Sequence, residues 1–234
     1  MKISVVTLFP EILSGYMQTS IMAKAIAADR IHYDLINLRP FGTGKHRNCD
    51  DTPYGGGAGM VLKPEPLAAA LESIHAAGKR VIYPTPSGVP FDQAKARELS
   101  LESELVFVCG RYEGIDQRII EEYVDDEISI GDYVISSGEV ASLVIIDAVY
   151  RLIDEVISAE SLIEESFADG LLEYPQYTRP AQYNGHSVPD VLISGDHAKI
   201  ADWRHQQRLA KTEINRPDLL ARYYENKGEQ HGRD

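Results

Sequence analysis

Three glycine-containing loops, each predicted to follow a strand, have the residue types of a small-molecule pocket. Their sequences are YPTPSG at 83–88, CGRYEGID at 109–116 and SIGDYVISSGE at 129–139. Glycine lets backbone amides and carbonyls contact a flat ligand, and open α/β sheets bind ligands beyond the carboxyl ends of their strands. The tyrosines and isoleucines between the glycines suit a neutral heteroaromatic ring such as adenine. One such loop would be an ordinary tight turn, but three of them favour a ligand site.

Charged side chains beyond these loops offer acid–base chemistry. Arg151 ends an apolar helix, where the helix dipole favours a cation. Glu164, Glu165 and Asp169 lie in an acidic segment, and a carboxylate there could act as a general base once a substrate buries it. The residue pattern alone favours plain solvation of these acids.

Two further segments have compositions that could contact nucleic acid. YGGGAGM at 54–60 allows close backbone approach but lacks the Gly-Lys-Ser/Thr of a P-loop, so a mobile hinge is the alternative. LLEYPQYTRP at 171–180 combines aromatic, proline and basic residues. It could stack on an unpaired base, and a Pro-rich packing loop is an equal alternative.

Strands alternate with helices over residues 1–153, which predicts an α/β domain with a mostly parallel sheet. Residues 154–170 are acidic and lack apolar periodicity, so we expect a flexible linker, followed by a small helical domain at 171–234. Two helices are predicted within 197–227, divided near Pro217. The other predicted elements are strands at 2–8, 31–38, 80–83 and 104–109, extended pieces at 126–130 and 133–135, a loop at 40–59, and helices at 20–28, 64–77, 92–99, 115–122 and 139–153.

Composition limits the possible classes of protein. With 234 residues, 44% hydrophobic and 25% charged, the chain is not globally disordered. No apolar stretch is long enough for a membrane span, no signal peptide is evident, and two cysteines make neither a disulfide framework nor a metal cluster, so we expect a cytoplasmic protein. The net charge of −13 argues against a nucleic-acid partner. The excess is local, however: the net charge is +1 over 1–60, −14 over 61–170 and 0 over 171–234.

Several segments along the chain together match one known family. They are TLFPE (7–11), KHR and YGGGAGM (45–60), CGRYEGID (109–116), SIGDYV (129–134), SFADGLLEYPQYTRP (166–180) and SGDHAKIADWR (194–204). In this order, the segments resemble the bacterial tRNA (guanine-N1)-methyltransferases of the SPOUT class, the TrmD family. The resemblance implies a deep trefoil knot in the α/β domain, a homodimer with shared active sites and S-adenosyl-L-methionine as methyl donor, with a link to Mg²⁺. It implies methylation of N1 of guanosine 37, next to the tRNA anticodon.

The resemblance also assigns functional positions. Arg151 matches the arginine that stabilises negative charge on guanine O6, and Glu165 stands where the family has its general-base Asp. Ser137 replaces a glycine, because the family's SGGE is SSGE here. The implied tRNA contacts are His46, Arg47, Gly55, Gly59, Arg179 and Arg204. The implied cofactor contacts are Tyr83, Pro84, Pro86, Gly110, Tyr112, Glu113, Ile130, Gly131, Tyr133, Ile135, Ser137 and Gly138.

Two alternatives remain open at the level of sequence. One is a SPOUT methyltransferase that modifies a different nucleoside or RNA, against which the KHR–YGGGAGM segment and the C-terminal region argue. The other is a tRNA-binding protein that has lost catalysis, prompted by Glu165 and Ser137. The retained acid, arginine and glycine loops argue against this second alternative.

Overall fold

The structure, a computed structural model, describes residues 1–158, 161–162 and 164–231, with side chains as far as residue 228. The chain divides into two compact units, Met1–Ile157 and Ser158–Asp234. Within the described residues, no helix has the length and apolar character needed to cross a lipid bilayer.

A five-stranded sheet forms the centre of the first unit. Its strands are β1 (Lys2–Thr7), β2 (His32–Asn37), β5 (Arg80–Pro90), β6 (Glu104–Val108) and β7 (Asp126–Ser129). They lie in the order β2-β1-β6-β5-β7, and every neighbouring pair is parallel. Strands β1 and β6 are buried along almost their whole length, as expected where helices cover both faces of a parallel sheet. The predicted α/β class with a parallel sheet is therefore confirmed.

Helices pack on both faces of this sheet, because alternate residues of β1 enter two separate cores. The helices are α1 (Pro10–Met17), α2 (Ser20–Ala27), α3 (Pro64–Ser73), α4 (Gln93–Ser100), α5 (Gln117–Tyr123) and α6 (Gly138–Tyr150). Ile3 and Val5 pack with residues of α1, α2, α4 and α6, whereas Val6 packs with residues of α3 and α5.

Several element predictions for the first unit are wrong in detail. Helix α1 was not predicted, and residues 133–135 form no strand. Strand β5 continues to Pro90 because its pairing with β7 shifts between Pro84 and Val89, which adds an irregular stretch. The predicted loop at 40–59 contains β3 (Asp50–Asp51), which pairs with β4 (Val61–Leu62) as a short antiparallel ribbon.

The second unit contains a small hairpin followed by helices. Strands β8 (Gln182–Tyr183) and β9 (His186–Ser187) pair antiparallel. The helices described here are α7 (Asp190–Ile193), α8 (His197–Asn215) and α9 (Pro217–His231). Helix α8 ends just before Pro217, where α9 begins, so the predicted division near this proline is confirmed.

Candidate functional site

A cavity of about 290 Å³ lies beyond the carboxyl ends of β6 and β7, beside the irregular part of β5. The three glycine-containing loops of the sequence surround it. Each position that the family resemblance assigns to the cofactor lines this one space, from Tyr83 to Gly138. Binding of a cofactor by these residues stays a prediction.

Close backbone contacts at glycines shape the cavity walls. The Gly138 amide donates to the Gly110 carbonyl at 3.1 Å, which joins the start of α6 to the loop after β6. A Cβ on Gly138 would lie 2.6 Å from the Gly110 nitrogen, and a Cβ on Gly110 would lie 2.9 Å from the Tyr83 ring. Side chains at these positions would therefore force the loops apart.

Tyrosines complete the walls between these glycines. Tyr83 is almost fully buried, and burial raises the pKa of its phenol, so the ring is a neutral part of the wall at physiological pH. The hydroxyl of Tyr133 donates to the carbonyl of Ile130 at 3.2 Å. Gly131 between them has a φ of +143°, which a residue with a side chain rarely adopts. This bond and the glycine give the 129–139 loop its shape.

The glycine-rich loop at 54–60 meets the cavity edge through Glu113. The Glu113 amide donates to the Met60 carbonyl at 3.0 Å, and a Cβ on Gly59 would lie 2.4 Å from a Glu113 carboxylate oxygen. Gly55 is exposed, with a φ of +87°. His46 and Arg47 are also exposed, in the turn between the bridged residues at 43 and 48.

The two predicted catalytic residues belong to different units. Arg151 follows the last residue of α6 in the first unit, and its backbone keeps the helical conformation. Glu165 lies in the second unit, where it is half-buried and its carbonyl accepts from the Ala168 amide at 3.2 Å. Their catalytic functions stay predictions.

The acids beside Glu165 have structural partners in the second unit. Glu164 accepts the Tyr174 hydroxyl at 2.6 Å and lies 3.4 Å from an Arg204 nitrogen. Asp169 accepts from Arg208 at 2.9 Å. Burial raises the pKa of Asp169, but the Arg208 guanidinium outweighs this effect and the net pKa lies below the ordinary value. Asp169 is therefore a weak candidate for a base.

A second cavity, of about 580 Å³, lies within the second unit. Arg179 and Arg204 line it together with Tyr174 and Tyr177. The Arg204 guanidinium carbon lies 4.6 Å from the Tyr174 ring centroid, within the range of a cation–π interaction. Aromatic faces combined with arginines are typical of proteins that bind unpaired nucleic-acid bases.

Two charged residues near the first cavity were missed by the sequence reasoning. Arg111 lines the cavity, and its Nε lies 3.1 Å from an oxygen of the fully buried Glu139. Arg111 lies inside the CGRYEGID motif, but no sequence pattern indicates that its partner is 28 residues away.

In the part of the chain that the structure describes, no group of three or more His, Cys, Asp or Glu residues could hold a metal ion.

Comparison with known proteins identifies a family. The sequence model of the family described as tRNA (Guanine-1)-methyltransferase TrmD matches residues 1–222. Similar relatives are each named tRNA (guanine-N(1)-)-methyltransferase. The one from Treponema denticola is 64% identical over 94% of this chain and 90% of the relative, and that from Treponema pallidum is 57% identical over 94% and 88%. The one from Borrelia hermsii is 54% identical over 99% of this chain and 98% of the relative.

Proposed function

Because the chain belongs to the tRNA (guanine-1)-methyltransferase family, we propose that it transfers a methyl group from S-adenosylmethionine to N1 of guanosine 37 in tRNA. The observation that carries this proposal is the cavity of the first unit. Three loops that are distant in sequence surround one space with the residues that the resemblance assigns to the methyl donor. The relatives that match over nearly their full length are named tRNA methyltransferases, so they favour this activity over either of the two alternative functions.

The walls of this cavity have the chemistry that S-adenosylmethionine requires. Backbone approaches the space closely at Gly110 and Gly138, and the rings of Tyr83 and Tyr112 border it, which suits an adenine ring. The Glu113 side chain offers negative charge that complements the positively charged groups of the donor. When bound, S-adenosylmethionine supplies a methyl group on a positively charged sulfur.

The chain's own residues have to make guanine N1 nucleophilic, because this nitrogen carries a proton at neutral pH. In this proposal, Glu165 accepts that proton and Arg151 stabilises the negative charge that moves to guanine O6. We choose Glu165 because it stands at the position of the family's general base, and the lowered pKa of Asp169 makes that acid a weaker proton acceptor. The cavity then supplies proximity between the methyl group and N1.

Substitution of the proposed base tests the mechanism directly. Glu165→Gln is expected to lower the single-turnover rate of methyl transfer, with saturating tRNA, by roughly 10²- to 10⁴-fold, the usual contribution of a general base. Glu164→Gln is the matched comparison and is expected to keep most of the rate. A Glu165→Gln rate near that of the wild type would exclude Glu165 as the base.

The charge-stabilising function of Arg151 has its own test. Arg151→Ala is expected to slow methyl transfer while the dissociation constant for S-adenosylmethionine changes little, because the arginine acts on guanine. Calorimetric titration measures the affinity, and rapid quenching measures the rate. A variant that binds the donor weakly but transfers the methyl at the wild-type rate would contradict this function.

The proposed tRNA surface has a part in each unit. In the first unit, exposed His46 and Arg47 and the exposed glycine-rich loop at 54–60 are available for the phosphates and the target base. In the second unit, Arg179 and Arg204 border the aromatic cavity. These local sites are consistent with an RNA substrate for an acidic chain, since the middle segment carries the excess negative charge.

We also propose that the chain forms a homodimer with shared active sites. Val140 and Val144 lie one turn apart on α6 and are 45% and 46% exposed, although this helix also forms the cavity wall. Val134, on the preceding loop, is 85% exposed. A second copy of the chain would cover this apolar strip, and its second unit would supply Glu165 to the donor cavity. Sedimentation analysis tests this assembly.

Three further parts of the proposal follow the family resemblance. The loops around the donor cavity form a deep trefoil knot, which a crystal structure would trace, and the tRNA substrate places the reaction in the cytoplasm. The side chains of the described residues offer Mg²⁺ no cluster of three acidic or imidazole ligands. A Mg²⁺ requirement would therefore be met near single carboxylates or on the RNA, and titration of Mg²⁺ in the transfer assay measures it.

A further inference from the structure

Glu139 is a charged residue with no place in the mechanism described above. It is the second residue of α6 and is 0% exposed. The Thr7 hydroxyl donates to its Oε1 at 2.6 Å, the Ser137 hydroxyl donates to its Oε2 at 2.8 Å, and Arg111 Nε lies 3.1 Å from the same Oε2. Burial of a carboxylate is costly unless it is paired and hydrogen-bonded, and the first turn of a helix also favours negative charge. The site is therefore built around an anion.

Two of these partners extend from the buried carboxylate to the donor cavity. Arg111 and Ser137 line the cavity, whereas Glu139 itself does not. Arg111 is held at two further points, because its Nη1 donates to the Ser136 carbonyl at 3.1 Å and its guanidinium carbon lies 4.6 Å from the Phe9 ring centroid. The same carboxylate thus holds a cation and a hydroxyl in the cavity wall.

Three motifs that are far apart in the sequence meet at the pair formed by Glu139 and Arg111. TLFPE at 7–11 contributes Thr7 and Phe9, CGRYEGID at 109–116 contributes Arg111, and SSGE at 136–139 contributes the serines and the acid. Ser137 stands where the family resemblance has a glycine, and its hydroxyl is an extra donor to Glu139. The arrangement gives this chain an additional hydrogen bond at the wall.

We propose that Glu139 is a positioning residue that fixes Arg111 and the 136–138 loop in the conformation that binds the methyl donor. This inference rests on the proposed function, because it treats the cavity as the donor site. Without the anion, Arg111 loses the partner of its Nε and the wall becomes mobile. Donor binding then has to order the wall, which weakens affinity.

A double-mutant cycle between Glu139 and Arg111 tests this inference by calorimetric titration with S-adenosylmethionine. Glu139→Gln keeps the shape of the side chain and removes its charge. It is expected to raise the dissociation constant roughly tenfold or more, because Arg111 loses the buried charge with which it forms an ion pair. In an Arg111→Ala background the same change is expected to have little further effect, since Glu139 acts through the arginine. Glu98→Gln, at an exposed carboxylate of α4, is the control and should leave the affinity unchanged.

A merely structural function for Glu139 makes a different prediction. Thr7→Val removes the donor to the other carboxylate oxygen but leaves the Arg111 pair in place. If Glu139 only stabilises the fold, Thr7→Val and Glu139→Gln should weaken donor binding in proportion to their losses of thermal stability. Positioning predicts that Glu139→Gln weakens binding far more than Thr7→Val at an equal loss of stability.

The remaining outcomes are also decisive. Independent, additive effects of Glu139→Gln and Arg111→Ala on the dissociation constant would overturn the inference, as would an unchanged affinity in Glu139→Gln. If Glu139→Gln does not fold, Glu139→Asp keeps the charge, shortens the reach to Arg111 and undergoes the same cycle with the same expected result. Failure of the wild-type chain to bind S-adenosylmethionine would refute the proposed function first, and the inference with it.

Discussion

Substitution of Gly138 by alanine is expected to disrupt the donor cavity by a mechanism that the distances define. The new Cβ would lie 2.6 Å from the Gly110 nitrogen and 2.8 Å from its oxygen, where ordinary van der Waals contact begins at 3.4 Å. Both atoms are backbone, so no flexible side chain can move aside. The loop after β6 has to shift, at a cost of about 1–3 kcal/mol in the free energy of unfolding, typical of overpacking.

The measurement is urea denaturation together with calorimetric titration of S-adenosylmethionine. We expect Gly138→Ala to lose about 1–3 kcal/mol of stability and to bind the donor roughly tenfold more weakly or worse, because Gly110 forms the opposite wall. Gly15→Ala is the matched control: Gly15 is an exposed residue of α1 whose added Cβ meets nothing within 4 Å, and alanine there should stabilise the chain by about 0.5–1 kcal/mol. Wild-type stability and affinity in Gly138→Ala would show that the contact between Gly138 and Gly110 does not shape the cavity.

Three further predictions concern other parts of the chain. Burial raises the pKa of Asp126, but Arg80, 2.5 Å away, and Lys95 outweigh it and lower the net pKa. Asp126→Asn should therefore lower the free energy of unfolding by about 1–3 kcal/mol at pH 7. Measured by urea denaturation, wild type and variant should become equally stable as the pH falls from 3.8, the ordinary Asp pKa, through the lower pKa that Asp126 has in the folded chain. Val144→Glu should yield monomers without activity in sedimentation and transfer assays, whereas an active dimer would contradict the proposed interface. Tyr177→Ala should weaken tRNA binding and leave donor binding unchanged; equal tRNA affinity would exclude base stacking there.

Much of the first unit could be predicted from sequence because its strands are continuous apolar runs. Strands such as β6 need both faces buried, and that requirement is visible in the residues. Helix α1 was not predicted because it begins with a proline, Pro10, shortly after the predicted strand at 2–8, although proline is favoured at the start of a helix. The extension of β5 was missed because three prolines and a glycine stand in it, and its shifted pairing with β7 depends on tertiary contacts.

The loops around the cavity could be predicted, but the buried network behind them could not. Glycines at strand ends are a local signal, which is why the loops containing Gly110 and Gly138 were identified. Glu139 resembles any acid in the first turn of a helix, and only the folded chain brings Thr7, 132 residues away, to its carboxylate. A buried charge has no sequence signature of its own, since its partners come from distant segments.

A methyl-transfer assay on two tRNA transcripts, one with guanosine and one with adenosine at position 37, tests the proposed activity. The purified chain is incubated with S-adenosylmethionine, and the product nucleosides are separated and identified by mass. N1-methylguanosine is expected from the first transcript and no methylated nucleoside from the second. Methylation of both transcripts at another nucleoside, or of neither, would contradict that activity.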